Sequence, residues 1–124
     1  WAQFNSEKFS FQYPASWEEK SSSRVDVGFM KADRSEMVMV MKIKKDWKTL
    51  KENIEKENME KIEVDGYKAY EMTEKNQDLR ARGYVVNIKG DIISIIYNAK
   101  TGKYDEKRVK KILDSFNIKV NDKN

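Results

Sequence analysis

Three methionines, Met37, Met39 and Met41, stand at alternate positions and would share one face of a β-strand. Thioether sulfur is a soft ligand, so this spacing is compatible with a copper(I) site. Such sites usually recruit His or Cys as well, and the chain has neither. Because methionine also fills irregular gaps in a core, a flexible core stripe is the favoured interpretation, and we expect no metal site.

Acidic side chains are the next candidates, because paired carboxylates can perform acid–base catalysis or bind hard cations. No calcium-loop spacing is present, and a chain with 21 Asp and Glu residues contains close pairs by chance. The segment 100–103, Lys-Thr-Gly-Lys, lacks the upstream glycine and the Gly-Lys-Ser/Thr ending of a phosphate-binding loop. We therefore interpret these carboxylates as surface charges: Asp26, Asp33, Glu36, Glu63, Asp65, Glu71 and Glu74.

The absence of Cys and His excludes disulfides, thiolate nucleophiles, Cys/His zinc sites and histidine bases. An enzyme would have to use Lys, Tyr, Ser, Thr or carboxylates, and this is the least favoured of our hypotheses. We predict no catalytic residues and no cofactor. A length of 124 residues with 39% hydrophobic residues fits one domain, 1–124, with a substantial core.

The net charge of +4 is spread along the chain. Residues 1–62 carry 12 basic and 11 acidic residues, and residues 63–124 carry 13 and 10. Nucleic-acid binders concentrate basic residues in a stripe, so no nucleic-acid partner is predicted. The longest apolar run, 91–99, is too short to cross a bilayer. Because the chain begins at Trp1, an upstream leader or anchor stays possible, and membrane contact is expected only through it.

Two basic patches are candidate contact surfaces for a protein partner. Arg80 and Arg82 share one side of a predicted strand with Tyr84. The rival patch lies on the last predicted helix and contains Lys107, Arg108 and Lys111.

Alternating apolar residues predict strands, and spacings of three and four predict helices. Asp46 is a plausible N-cap, and Asp-Gly and Lys-Gly pairs predict tight turns at 65–66 and 89–90. Strands are expected at 9–13, 24–31, 36–44, 67–73, 79–88 and 91–99, with an edge strand or a connection at 18–23, a loop at 74–78, and helices at 46–62 and 104–116. Residues 1–8 are expected to form an extension and residues 121–124 a disordered tail. This order predicts an α+β fold with a mainly antiparallel sheet of about six strands and two amphipathic helices.

The chain resembles the PsbP-like domain family in three segments. Residues 9–17 are similar to the family's opening pattern of an aromatic strand, Tyr-Pro and Trp. Residues 64–70 resemble its Val-x-Gly-x-x-Ala-x segment, and residues 112–116, Ile-Leu-Asp-Ser-Phe, resemble its terminal helix end. The resemblance implies an α/β/α sandwich and core or turn roles for Phe11, Tyr13, Pro14, Trp17, Gly66, Ser115 and Phe116.

The same resemblance carries the functional expectation. It implies a non-enzymatic, extracytoplasmic protein-binding or assembly module, the soluble part of a lipoprotein or secreted protein at the cell envelope. The Lys- and Asn-rich composition favours a prokaryotic origin. The alternative is a cytosolic regulatory binding module resembling the Ran-binding nuclear import factor of the related group.

Overall fold

The computed structural model describes residues 1–22, 25–56 and 59–119. Over these ranges the chain forms ten strands and two helices. In order they are β1 (Ala2–Asn5), β2 (Phe9–Tyr13), β3 (Glu18–Ser22), β4 (Val25–Met30), β5 (Glu36–Ile43), α1 (Trp47–Lys56), β6 (Glu60–Val64), β7 (Tyr67–Lys75), β8 (Leu79–Ile88), β9 (Asp91–Lys100), α2 (Glu106–Asp114) and β10 (Asn117–Ile118).

The strands form two sheets. The main sheet has seven strands in the order β3-β4-β5-β9-β8-β7-β6, and a second sheet has three in the order β1-β2-β10. All neighbours in both sheets are antiparallel. The predicted sheet-rich, antiparallel α+β class is confirmed, whereas the expected count of about six strands in the main sheet is too low.

One face of the main sheet, here called the core face, carries Val38, Val40, Ile95 and Tyr97. The core face packs on α2 and on the second sheet, which together contribute these buried side chains: Phe9, Phe11, Val109, Ile112 and Leu113. The opposite, outer face carries Tyr70, whose ring lies 5.5 Å from that of Trp47 in α1. A helix lies on each face, but the predicted α/β/α sandwich is not clearly formed, because a small sheet shares the core face with α2.

Two tight turns follow the sequence expectation closely. Asp65-Gly66 joins β6 to β7 and Lys89-Gly90 joins β8 to β9, and all four residues have positive φ, from 51° to 97°. Positive φ at both central residues is the type I′ geometry that matches the twist of hairpin strands. The predicted hairpin of β8 and β9 is confirmed.

Helix α1 begins as predicted and ends earlier. Asp46 caps it, since its Oδ1 accepts a hydrogen bond of 2.8 Å from the backbone N–H of Thr49. The expected continuation to residue 62 is wrong, because residues 60–64 form β6. Ile62 and Val64 alternate toward the core face and pair with β7, which favours extended backbone over a helix in this Lys- and Glu-rich segment.

The N-terminal residues belong to the fold. Ala2–Asn5, expected within an extension, pairs with β2, and the Phe4 ring lies 5.6 Å from that of Phe11. The segment 18–22 is an edge strand, and the expected loop at 74–78 begins with the last two residues of β7. The expected tail at 121–124 and residues 23 and 24 lie outside the described residues.

The residues of the family resemblance take core and turn positions. Phe11, Trp17 and Phe116 are buried, and Gly66 lies in a positive-φ turn. Ser115 ends α2, and its Oγ accepts a 2.7 Å hydrogen bond from the backbone N–H of Gln12 in β2. These residues therefore connect α2 to the second sheet and fix it over the core face.

The methionine stripe is not part of the main core. Met37, Met39 and Met41 lie on the outer face and are half-buried, while their neighbours Val38 and Val40 fill the core face. The main hydrophobic cluster, within the described ranges, contains no methionine. The expectation of a core stripe is wrong, because the face of β5 that is fully covered is the valine face.

Candidate functional site

Three side chains of β8 project from the core face of the main sheet beside the N-terminus of α2. Arg80, Arg82 and Tyr84 oppose Ala99, Tyr97 and Ile95 of β9 in register. Across β7 their partners are Lys75, Thr73 and Glu71. The prediction that these three side chains share one side is confirmed by this register.

Arg82 is a bridge within the fold. Its Nε lies 3.2 Å from Oε1 of Glu71, and its Nη1 lies 2.8 Å from Oε1 of Glu106 at the start of α2. Partial burial opposes the charge, but Glu71, Tyr84 and Glu106 outweigh that effect and raise the pKa of Arg82. The guanidinium therefore fastens α2 to β7 and β8.

Tyr84 is half-buried and packs against the main core cluster. Burial raises the pKa of its hydroxyl, and the charge of Glu71 raises it further. Tyr84 therefore packs as a neutral phenol against the core, and it is not among the residues that line the cleft described below.

Arg80 has a different environment. Its guanidinium carbon lies 3.9 Å from the centre of the Tyr104 ring, which is a cation–π contact, and its side chain is exposed. Lys75, directly opposite on β7, is also exposed. Within residues 1–22, 25–56 and 59–119, neither Lys75 nor Arg80 has a carboxylate within 4.0 Å. Two cations therefore face each other, and neither forms an ion pair within these ranges.

These side chains line an open cleft of about 370 Å³. Its walls are Glu71, Thr73, Glu74, Lys75, Arg80, Ala81, Arg82, Tyr104 and Glu106. The cation–π contact with Tyr104 positions the exposed Arg80 guanidinium, and a planar guanidinium matches the two oxygens of a carboxylate. The cleft is suited to an acidic group that lies between Arg80 and Lys75.

The rival patch on α2 does not form one open surface. Arg108 donates a hydrogen bond to the buried carboxylate of Glu36. The ammonium nitrogen of Lys111 lies 4.2 Å from the centre of the Trp1 ring. Lys107 is exposed. Of these three predicted contact residues, Arg108 is therefore held by a buried carboxylate, while Lys107 and Lys111 are exposed.

Two further cavities were missed by the sequence reasoning. One, of about 460 Å³, lies between the two sheets, and its two lysines, Lys8 and Lys42, both pair with Asp91 at 2.5 and 3.5 Å. The other, of about 480 Å³, lies beside α1, and its walls are Trp47, Lys51, Lys61, Ile62, Glu63, Lys68, Ala69 and Tyr70. Their walls come from elements distant in sequence, so no local pattern indicates them.

Across the described ranges, no three Asp or Glu side chains converge in a way that could hold a metal ion. No helix in the same ranges combines the length and apolar character needed to cross a bilayer.

No known family model matches this chain, and no curated protein matches it significantly. Among solved structures, a crystal structure of a protein from Bacteroides thetaiotaomicron VPI-5482 is similar, with a TM-score of 0.70 and 14% sequence identity. The match covers 94% of this chain and 47% of that protein. The likeness shows the fold, and this chain spans about half the length of that relative.

Proposed function

We propose that this chain is a non-enzymatic binding module of the PsbP-like type that docks a protein partner on the extracytoplasmic side of the cell envelope. The docking element is the Lys75–Arg80 cleft, defined as the cleft between β7, β8 and the start of α2. It takes an acidic side chain, or a terminal carboxylate, of the partner.

One observation carries the proposal: Lys75 and Arg80 oppose each other, and within the described residues neither forms ion pairs like those that Arg82 forms with Glu71 and Glu106. Like charges directly opposite on a sheet are destabilising. Glu71 and Glu106 compensate Arg82, so the chain supplies carboxylates where they stabilise the fold. An acidic group from a partner compensates Lys75 and Arg80 in the same way.

The geometry supports recognition rather than catalysis. Tyr104, the tyrosine of the cleft wall, has its pKa raised, mainly by burial, and two of the lining carboxylates, Glu71 and Glu106, are engaged with Arg82. Raised tyrosine pKa values disfavour the phenolate that a general base would need. The cleft therefore offers fixed positive charge and hydrogen-bond donors.

Charge variants of the cleft test this function. The purified domain carrying Lys75→Gln and Arg80→Gln should lose capture of its partner from a solubilised envelope fraction, measured by quantitative mass spectrometry. The matched control is Lys107→Gln with Lys110→Gln, which removes the same charge from the exposed side of α2. Equal capture by both double variants would contradict the proposal.

Location needs a separate measurement. Protease shaving of intact cells that express the full-length gene with its native N-terminus should release peptides of this domain. Protection of the domain inside the cell would support the alternative, a cytosolic regulatory binding module, and would end the envelope part of the proposal.

A further inference from the structure

Five of the six methionines of the chain project from the outer face of the main sheet. They are Met30 on β4, Met37, Met39 and Met41 on β5, and Met72 on β7. All five residues are half-buried, so each packs partly against its neighbours and is partly exposed to solvent. This face is the opposite side of the sheet from the Lys75–Arg80 cleft.

Met30 and Met37 are direct cross-strand partners. The backbone N–H of Lys31 donates a 3.0 Å hydrogen bond to the carbonyl of Glu36, so Lys31 and Glu36 form a hydrogen-bonded pair. Pairs alternate along an antiparallel ladder, so the adjacent pair, Met30 and Met37, is a non-hydrogen-bonded one. In such a pair the Cα atoms are about 4.5 Å apart and the side chains are closest. The two thioether chains therefore start side by side.

Met39 completes the group. It lies two residues beyond Met37 on the same face, and its partner across β4 is Gly28, which has no side chain. Gly28 puts no side chain between Met30 and Met39, and its position is buried, with the carbonyl oxygen of Lys20 3.1 Å from where a Cβ would stand. Methionine has three rotatable bonds, so the sulfur atoms of the three side chains can turn toward one another over β4 and β5.

We propose that Met30, Met37 and Met39 form a binding site for a soft monovalent cation, copper(I). Neutral thioethers suit copper(I) and bind hard cations such as Mg²⁺ or Ca²⁺ poorly. Binding is simple coordination by three sulfur lone pairs, with no proton released and no change in oxidation state. The site is independent of the Lys75–Arg80 cleft and of the partner proposed for it.

The test is an anaerobic titration of the purified domain with copper(I) against a chromophoric copper(I) chelator. One equivalent should bind, and X-ray absorption should show sulfur as the coordinating element. Loss of a residue that merely supports a ligand costs roughly 10–100-fold in metal affinity, so Met30→Leu with Met37→Leu should weaken binding by at least about tenfold. Leucine nearly conserves the volume of methionine, and such swaps usually cost less than about 1.5 kcal/mol, so the variant should stay folded.

Met72→Leu is the matched control. It lies on the same face but three strands from Met39, in the register Met39, Ile96, Gly83, Met72, and should bind copper(I) like the parent protein. Absence of binding, oxygen-dominated coordination, or equal weakening in Met72→Leu would overturn the site. Circular dichroism melting of each variant separates a lost ligand from a lost fold.

Discussion

Arg108 donates a hydrogen bond from the first turn of α2 to Glu36, a carboxylate that is only 2% exposed at the start of β5. The Tyr97 hydroxyl donates a second, 2.6 Å hydrogen bond to the same oxygen, and the Lys31 ammonium lies 3.6 Å from the other. Burial and the bond to Glu36 raise the pKa of Tyr97 well above its ordinary value. Arg108 therefore serves the fold, although the sequence makes it resemble a surface cation.

Replacing Arg108 should destabilise the domain. Arg108→Met leaves the buried Glu36 carboxylate with Lys31 as its remaining cation. We expect the free energy of unfolding to fall by about 2–3 kcal/mol, which is at or below the usual cost of breaking a buried ion pair. Glu36→Gln with Arg108→Met should cost less, because glutamine carries no charge and still accepts from Tyr97. Urea unfolding of the variants measures both, and a double variant less stable than Arg108→Met would contradict this account.

Arg80 and Arg82 should respond oppositely to substitution by glutamine. Arg82→Gln removes the bridge between Glu71 and Glu106 and should lower the free energy of unfolding. We expect a loss of about 1–2 kcal/mol, because the hydrogen bonds that are lost join charged groups that are partly exposed. Arg80→Gln loses one cation–π contact but relieves repulsion with Lys75, so its stability should stay within about 0.5 kcal/mol. Thermal and urea unfolding distinguish the two, and similar losses at both positions would be inconsistent with an open Arg80.

Gly83 is required by close packing between β8 and β9. A Cβ there would lie 2.3 Å from the carbonyl oxygen of Ile95 and 2.9 Å from Cα of Ile96, so backbone must move. Gly83→Ala should lower the free energy of unfolding by about 1–3 kcal/mol or more, the range typical of overpacking. Gly28→Ala, whose Cβ would meet its nearest atom at 3.1 Å, is the matched control and should cost clearly less. Equal midpoints of urea unfolding would contradict this packing.

Acid should weaken the fold below about pH 4. Hydrogen bonds from Ser35, Thr49 and Lys8 hold the pKa values of Asp33, Asp46 and Asp91, respectively, below their ordinary 3.8. A carboxyl group whose pKa is lowered by folding stabilises the folded state at pH values above its unfolded-state pKa. This stabilisation is lost as the pH falls through its folded-state pKa. The urea midpoint of unfolding should therefore be higher at neutral pH than at about pH 3, where the three aspartates bind more protons in the unfolded chain than in the folded one.

Asp46→Asn is the control for that effect, because asparagine is an equally good N-cap that does not titrate near this pH. The variant should keep helix α1 and show a smaller drop in stability between neutral and acidic pH. An unchanged pH dependence would remove Asp46 from the groups responsible.

The sequence indicated local structure better than long-range contacts. Lys89-Gly90 and Asp65-Gly66 set their turns by backbone preference alone, so both hairpins could be predicted. Strand β6 was missed because Ile62 and Val64 alternate inside a run of Lys and Glu that equally suits a helix. Strand β1 was missed because its pairing with β2 depends on contacts outside the segment.

The side chains of the cleft could be predicted only as far as local alternation places them, because their partners come from distant parts of the chain. Alternation placed Arg80 and Arg82 on one side, but the contrast between them depends on Glu71 and Glu106, 11 and 24 residues away from Arg82. Lys75 was assigned to a loop, so its position opposite Arg80 was not foreseen. Arg108 meets Glu36 across 72 residues, a separation over which sequence periodicity carries no information.

The central claim is that the Lys75–Arg80 cleft contacts a protein partner, and photo-crosslinking tests it most directly. A benzoyl-phenylalanine at Thr73, an exposed residue of the cleft wall, is introduced into the full-length protein in living cells, with the same residue at Lys107 as the control position. We predict an adduct with one envelope protein from position 73 that disappears when Lys75 and Arg80 are both glutamine. An adduct that survives those changes, or forms only at position 107, would contradict the account.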